Sequence, residues 1–145
     1  QAREYVSPDG SLVLPAVRVF QQGPPDHVGW RFSDTLDAYG LAAHAPGAQA
    51  YFSNESEGRI YRGRVNANGT VTNLVPFADR GGESVVQGPD GKVYAANGQI
   101  FVYAADGKQL DRIDVPERPL QLVFGGADGR TLFILCHHAL YAVTV

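Results

Sequence analysis

Short apolar runs alternate with glycine turns along most of this chain. In the clearest stretch, the dipeptides Asp90-Gly91, Asn97-Gly98 and Asp106-Gly107 separate runs that are rich in Val, Ile, Tyr and Phe. Such runs, bounded by Asp-Gly or Asn-Gly, are typical of β-strands joined by tight hairpin turns. The pattern therefore predicts a four-stranded antiparallel meander, with strands at 84–88, 92–96, 100–104 and 109–115.

The same pattern recurs with a period of about 40 residues. The dipeptides Pro46-Gly47, Asp90-Gly91 and Asp128-Gly129 each precede an apolar run, and Ile60 and Ile100 begin corresponding later runs. Four strands in a repeat of this length form the blade of a β-propeller. The sequence thus predicts an all-β fold. It would be a β-propeller segment of about three blades at 39–77, 82–116 and 119–145, preceded by a partial or divergent blade at 1–38.

The amino-acid composition supports the prediction of β-strands and argues against nucleic-acid and membrane partners. The 17 Gly and 9 Pro residues are spread along all 145 positions, which argues against helices. A net charge of -3 without a run of Lys or Arg argues against a nucleic-acid partner. No apolar stretch approaches the roughly 18 residues of a membrane span, so no membrane partner is expected. Cys136 lies in an apolar run and is expected to be a buried thiol. The sequence leaves the cellular location open and somewhat favours a secreted or periplasmic protein.

The predicted propeller is incomplete. Rings of this kind close with about four to eight blades, whereas the repeats here amount to two whole and two partial units. We therefore expect the remaining blades to come from the same parent polypeptide or from a second copy of the chain.

Two stretches resemble a known family of six-bladed propellers. Residues 82–96 read GESVVQGPDGKVYAA, and residues 118–133 read RPLQLVFGGADGRTLF. Both are similar to segments of the family of senescence marker protein, gluconolactonase and luciferin-regenerating enzyme. The Phe124-Gly125-Gly126 sequence, followed by a turn and Thr131-Leu132-Phe133, is the more specific feature. The likeness extends over residues 39–133, the C-terminal half of the family's ring.

The resemblance implies a metal-dependent hydrolase of lactones or related esters. In this family a divalent cation, here Ca²⁺ or Zn²⁺, polarises the lactone carbonyl for attack by water. Glu83 falls on the position of a metal-binding Asp that also accepts a proton, so the resemblance makes Glu83 a metal ligand and a catalytic residue. The family's Asn ligand falls on Tyr39, whose phenol is a poor ligand for a hard cation. Tyr39, Asn54 and Arg118 are expected to contact the substrate, a small lactone or sugar.

Two rival interpretations remain open. The replacement of Asn by Tyr39 favours a non-catalytic propeller that binds a carbohydrate or a protein partner on its loop face, and a purely structural module is the third possibility. His137 and His138 follow an apolar run, and the alternation of a strand would point one of them inward and the other outward.

Overall fold

A computed structural model describes residues 5–6, 13–14, 30–33, 36–38, 40–42, 47–55, 57–67 and 71–145. Every regular element in these residues is a β-strand, and every pairing between strands is antiparallel. The all-β prediction is therefore confirmed. Tyr39 lies outside the described residues.

The strands form two short hairpins and three larger sheets. Each larger sheet is a meander in which consecutive strands are neighbours: a first sheet with strands between residues 40 and 78, a middle sheet between 84 and 113, and a last sheet between 119 and 144. The strands of the described residues are β1 Tyr5–Val6, β2 Val13–Leu14, β3 Trp30–Ser33, β4 Leu36–Ala38, β5 Gly40–Ala42, β6 Gln49–Asn54, β7 Arg59–Val65, β8 Val71–Ala78, β9 Ser84–Gln87, β10 Val93–Asn97, β11 Gln99–Tyr103, β12 Gln109–Ile113, β13 Pro119–Gly125, β14 Thr131–Cys136 and β15 Leu140–Thr144.

The predicted Asp-Gly turns form with one repeated geometry. Gly91, Gly107 and Gly129 have φ of 78°, 91° and 71°, a backbone conformation that favours glycine. At each turn the aspartate Oδ1 accepts a hydrogen bond from the backbone N–H two residues later, at 3.0–3.1 Å. The Asp side chain and the Gly backbone thus fix each turn together.

The middle sheet packs against a neighbouring sheet on each of its faces. Alternation along β11 sends Phe101 and Tyr103 toward the first sheet, and Ile100 and Val102 toward the last sheet. A strand that is buried on both faces needs apolar residues at successive positions, which explains the unbroken run in β11.

The first strands of the three sheets, β5, β9 and β13, lie next to one another. This is the arrangement of propeller blades around an axis, with the inner strand of each blade nearest the centre. Cys136 is buried as predicted, and burial raises the pKa of its thiol. The described part of the chain has no helix with the length and apolarity needed to cross a lipid bilayer.

Candidate functional site

The candidate site lies where inner strands begin. Glu83 immediately precedes β9, and Arg118 immediately precedes β13. Because β5 and β6 run antiparallel and Gly40 pairs with Ser53, the end of β6 lies at the same edge of the first sheet as the start of β5. Asn54 ends β6 there, and Glu55 follows it in the turn to β7.

Arg118 contacts two carboxylates from different parts of the chain. Its Nη2 atom forms an ion pair with Oε1 of Glu83 and lies 3.2 Å from Oε1 of Glu55. The Glu83 side chain is only 15% exposed, whereas those of Glu55 and Arg118 are 40% and 58% exposed. The Glu83 Oε1 atom is buried and accepts no hydrogen bond from the described residues, so its contact with Arg118 is an ion pair without hydrogen-bond geometry.

The backbone before Glu83 is fixed by two polar side chains. Ser53, fully buried in β6, donates a hydrogen bond to the Gly82 carbonyl (2.5 Å) and accepts one from the Gly82 N–H (2.7 Å). The Asn97 amide donates to the Gly81 carbonyl at 2.7 Å. Sequence analysis missed Ser53 and gave Asn97 only the role of a turn residue. The signal that could have revealed Ser53 is a polar residue inside the apolar run of β6.

The two glycines before Glu83 also leave no room for a side chain. A Cβ atom on Gly81 would lie 2.0 Å from the Arg59 carbonyl oxygen, and one on Gly82 would lie 2.1 Å from the Ala96 carbonyl oxygen. The chain therefore passes tightly between the first sheet and the middle sheet. Glu83 is held at the end of this rigid segment.

Asn54 is buried and engaged in the turn that carries Glu55. Asn54 is only 2% exposed, and its side-chain Oδ1 accepts a hydrogen bond from the Glu57 N–H at 3.1 Å. Side-chain acceptors of this kind stabilise tight turns. In this structure Asn54 therefore helps to position Glu55 beside Arg118.

The expectation for the two histidines is wrong. Both His137 and His138 are exposed, because β14 ends at Cys136 and strand alternation no longer applies. The His138 N–H donates to the Glu117 carboxylate at 3.1 Å, and its ring Nδ1 lies 3.6 Å from the same oxygen.

The described residues supply part of a site for a hard cation. The largely buried Glu83 carboxylate offers an oxygen ligand of the kind that a hard cation takes, but its Oε1 atom is in contact with Arg118. No group of three or more His, Cys, Asp and Glu side chains in the described ranges could hold a metal by itself. Since such a cation takes about six oxygen ligands, Glu83 fits as one ligand, and most of the others would have to come from outside these ranges.

Three antiparallel sheets whose first strands lie side by side define a β-propeller segment, and charged residues stand at the starts of these inner strands. The profile of the SMP-30/Gluconolactonase/LRE-like family matches residues 33–138. The chain belongs to this family. Among curated proteins, none matches this chain.

Solved structures agree with the propeller fold. The chain is similar to a gluconolactonase from Xanthomonas campestris, with a TM-score of 0.67 and 18% identity over 99% of this chain and 44% of that one. It is similar to the calcium-binding protein regucalcin from Agrobacterium tumefaciens (TM-score 0.56, 23% identity, 69% and 39% covered). A luciferin-regenerating enzyme gives a TM-score of 0.58 at 16% identity, with 68% and 37% covered. The chain spans less than half the length of each of these three proteins.

Proposed function

We propose that this chain forms part of a gluconolactonase-like hydrolase that opens a small lactone or a related ester. The observation that carries the proposal is the Glu83 carboxylate, which is largely buried at the start of an inner strand and has Arg118 beside it. A carboxylate held in this way can take part in proton transfer or hold a cation, and the backbone contacts at Gly81 and Gly82 limit its movement.

In this proposal Glu83 activates the attacking water and Arg118 binds the lactone. Glu83 would hold the divalent cation, Ca²⁺ or Zn²⁺, together with residues outside the described ranges. When bound, the cation would lower the energy of negative charge on the carbonyl oxygen. The Glu83 carboxylate accepts a proton from water as the water oxygen bonds to the carbonyl carbon. The ring C–O bond then breaks, and the ring oxygen takes the proton back from Glu83, which gives a hydroxy acid and restores the Glu83 carboxylate. The exposed Arg118 guanidinium donates hydrogen bonds to substrate oxygens.

The relatives support the substrate class. One similar structure is a gluconolactonase described as important in glucose secondary metabolic pathways, and another is a calcium-binding protein. Their identities to this chain are 18% and 23%. The assignment of a lactone or sugar substrate and of a cation is therefore our proposal for this chain.

A non-catalytic binding propeller is the second candidate, and one observation favours it. Arg118 already places a positive charge against Glu83, which reduces the need for a metal ion at this carboxylate. Such a site would bind the hydroxyl or carboxylate groups of a carbohydrate through Arg118 without hydrolysing it.

The test compares Glu83→Gln with Glu117→Gln in the natively assembled protein. Glu117 is a suitable control because it lies just before Arg118, in the connection between β12 and β13, but pairs with His138. Ca²⁺ and Zn²⁺ binding is measured by calorimetry, and gluconolactone hydrolysis is measured at saturating metal. We expect Glu83→Gln to lower hydrolysis by about 100-fold and to weaken metal binding, while Glu117→Gln changes neither. A wild-type protein that neither binds metal nor hydrolyses lactone would instead support the binding propeller.

A further inference from the structure

One guanidinium nitrogen of Arg118 serves two carboxylates that differ in their surroundings. Glu83 is largely buried and follows a rigid segment, whereas Glu55 is 40% exposed in a turn. The Arg118 side chain is 58% exposed, so it is not packed in place by a core. Its Nη2 atom lies 3.2 Å from Glu55 Oε1 in addition to its contact with Glu83. Glu55 therefore offers a second partner within reach of the same guanidinium.

A guanidinium and a divalent cation compete for the same carboxylate. Arg remains protonated at all accessible pH values, and its charge next to a doubly charged ion is repulsive. The Glu83 Oε1 atom that would bind the cation is also the atom that contacts Arg118. Cation binding at this Glu83 atom consequently requires that Arg118 move away. The free energy of that movement is lower if Arg118 can form an ion pair with another carboxylate.

We propose that Arg118 is a positioning residue that sets the cation affinity of Glu83 by exchanging between Glu83 and Glu55. Without a cation, Arg118 neutralises Glu83. With a cation bound, Arg118 pairs with Glu55 and its remaining donors face the substrate. This inference rests on the proposed function, because it requires Glu83 to be a cation ligand.

The test measures Ca²⁺ affinity by calorimetry in the natively assembled protein, without any substrate. Arg118→Gln removes the competing charge and is expected to raise the affinity about tenfold. Arg118→Lys keeps the charge and is expected to stay within about threefold of the wild type. Arg112→Gln is the matched control, since Arg112 is also an exposed arginine in an ion pair, with Asp114 at 2.7 Å. It should leave Ca²⁺ affinity unchanged.

The role of Glu55 is tested by a double-mutant cycle. Glu55→Gln removes the second partner, so Arg118 stays on Glu83 and Ca²⁺ affinity is expected to fall about threefold. In the Arg118→Gln background the same substitution should have no effect. A loss of the same size in both backgrounds would show that Glu55 attracts the ion directly, and this would overturn the exchange.

The outcomes separate this inference from the proposed function. If Glu83→Gln leaves Ca²⁺ affinity unchanged, Glu83 is not a ligand and both ideas fail. If Glu83→Gln weakens binding but Arg118→Gln does not strengthen it, only the exchange by Arg118 is overturned. Thermal unfolding of each variant checks that the fold is intact. Arg112→Gln removes an exposed ion pair and should change the melting temperature little, whereas Arg118→Gln leaves the largely buried Glu83 without its partner and should lower it.

Discussion

Two buried tyrosines on adjacent strands differ in what their hydroxyl groups contact. The Tyr94 hydroxyl on β10 donates to the Asp90 carboxylate at 3.1 Å. The Tyr103 hydroxyl on β11 is buried and has no hydrogen-bond partner among the described residues. A buried polar group without a partner lowers stability because it loses its hydration without compensation.

We therefore expect opposite effects from the same substitution at the two sites. Tyr103→Phe should leave the free energy of unfolding unchanged or raise it, whereas Tyr94→Phe should lower it by about 1 kcal/mol. Urea denaturation of the two variants beside the wild type measures both changes. A clear loss of stability in Tyr103→Phe would show that this hydroxyl has a partner, such as bound water.

The Tyr94 phenol also predicts a dependence of stability on alkaline pH. Burial, followed by the charge of Asp90, raises the pKa of Tyr94 to about 12 from an ordinary value of 10.0. The folded state thus favours the neutral phenol. This contribution to stability is fully present below pH 10 and is lost as the pH rises toward 12.

The measurement compares wild type and Tyr94→Phe across this range. The stability advantage of the wild type over Tyr94→Phe is expected to fall between pH 10 and 12 and to reach zero or reverse, because only the wild type has this phenol to ionise. A difference that stays constant with pH would contradict the assigned cause.

At the scale of elements, the hairpin turns differ in how tightly they are packed. Gly91 and Gly107 both have positive φ, but a Cβ atom on Gly91 would meet nothing within 4 Å. A Cβ atom on Gly107 would lie 2.3 Å from the carbonyl oxygen of Phe77 in the first sheet. The β11–β12 turn therefore also serves as a contact between two sheets.

Gly107→Ala should destabilise the protein more than Gly91→Ala. Both substitutions carry the cost of a left-handed residue, about 1–2 kcal/mol. Gly107→Ala adds a clash with backbone that costs about 1–3 kcal/mol more. Lys108→Ala, next to Gly107 and exposed, should change stability little. Thermal melting of the three variants measures this order, and equal shifts for both glycine variants would contradict the packing argument.

Hairpin turns were predictable from sequence because their chemistry is local. Asp90-Gly91 contains both the side-chain acceptor and the residue that tolerates positive φ. Strand ends were less predictable. The strand expected at 100–104 begins at Gln99 instead. The Gln99 side-chain amide donates a hydrogen bond to the Val115 carbonyl and accepts one from the Val115 N–H. This contact joins positions that are distant in sequence.

The candidate site was predictable only in part, for the same reason. Resemblance to the family singled out Glu83 and Arg118 one at a time. Their ion pair depends on how the middle sheet packs against the last sheet, and the place of Glu55 depends on the turn that Asn54 holds. Periodicity along one strand carries no information about such contacts.

At the scale of the molecule, the last sheet has one face packed and one face open. Alternation sends Leu122, Leu132 and Ile134 toward the middle sheet. The opposite face is apolar but exposed, with Val123, Leu135 and Leu140 at 54%, 45% and 65% exposure. In the middle sheet, by contrast, the first sheet covers one face and the last sheet covers the other. We propose that a further sheet covers this open face, in line with the expected need for more blades.

For the 145-residue chain alone, we propose that a second copy supplies the covering sheet in a two-fold dimer. Leu135 and Leu140 are directly opposed across β14 and β15. The double variant Leu135→Glu/Leu140→Lys places opposite charges at this pair, which preserves the strand pairing while making the face polar. We expect it to weaken self-association at least tenfold, since each leucine that loses its burial costs about 1.5–3 kcal/mol.

Leu110→Glu is the control, because Leu110 is a 50% exposed leucine on β12, and it should leave association unchanged. Sedimentation equilibrium gives the association constants. A wild-type chain that is monomeric and melts cooperatively would contradict the dimer.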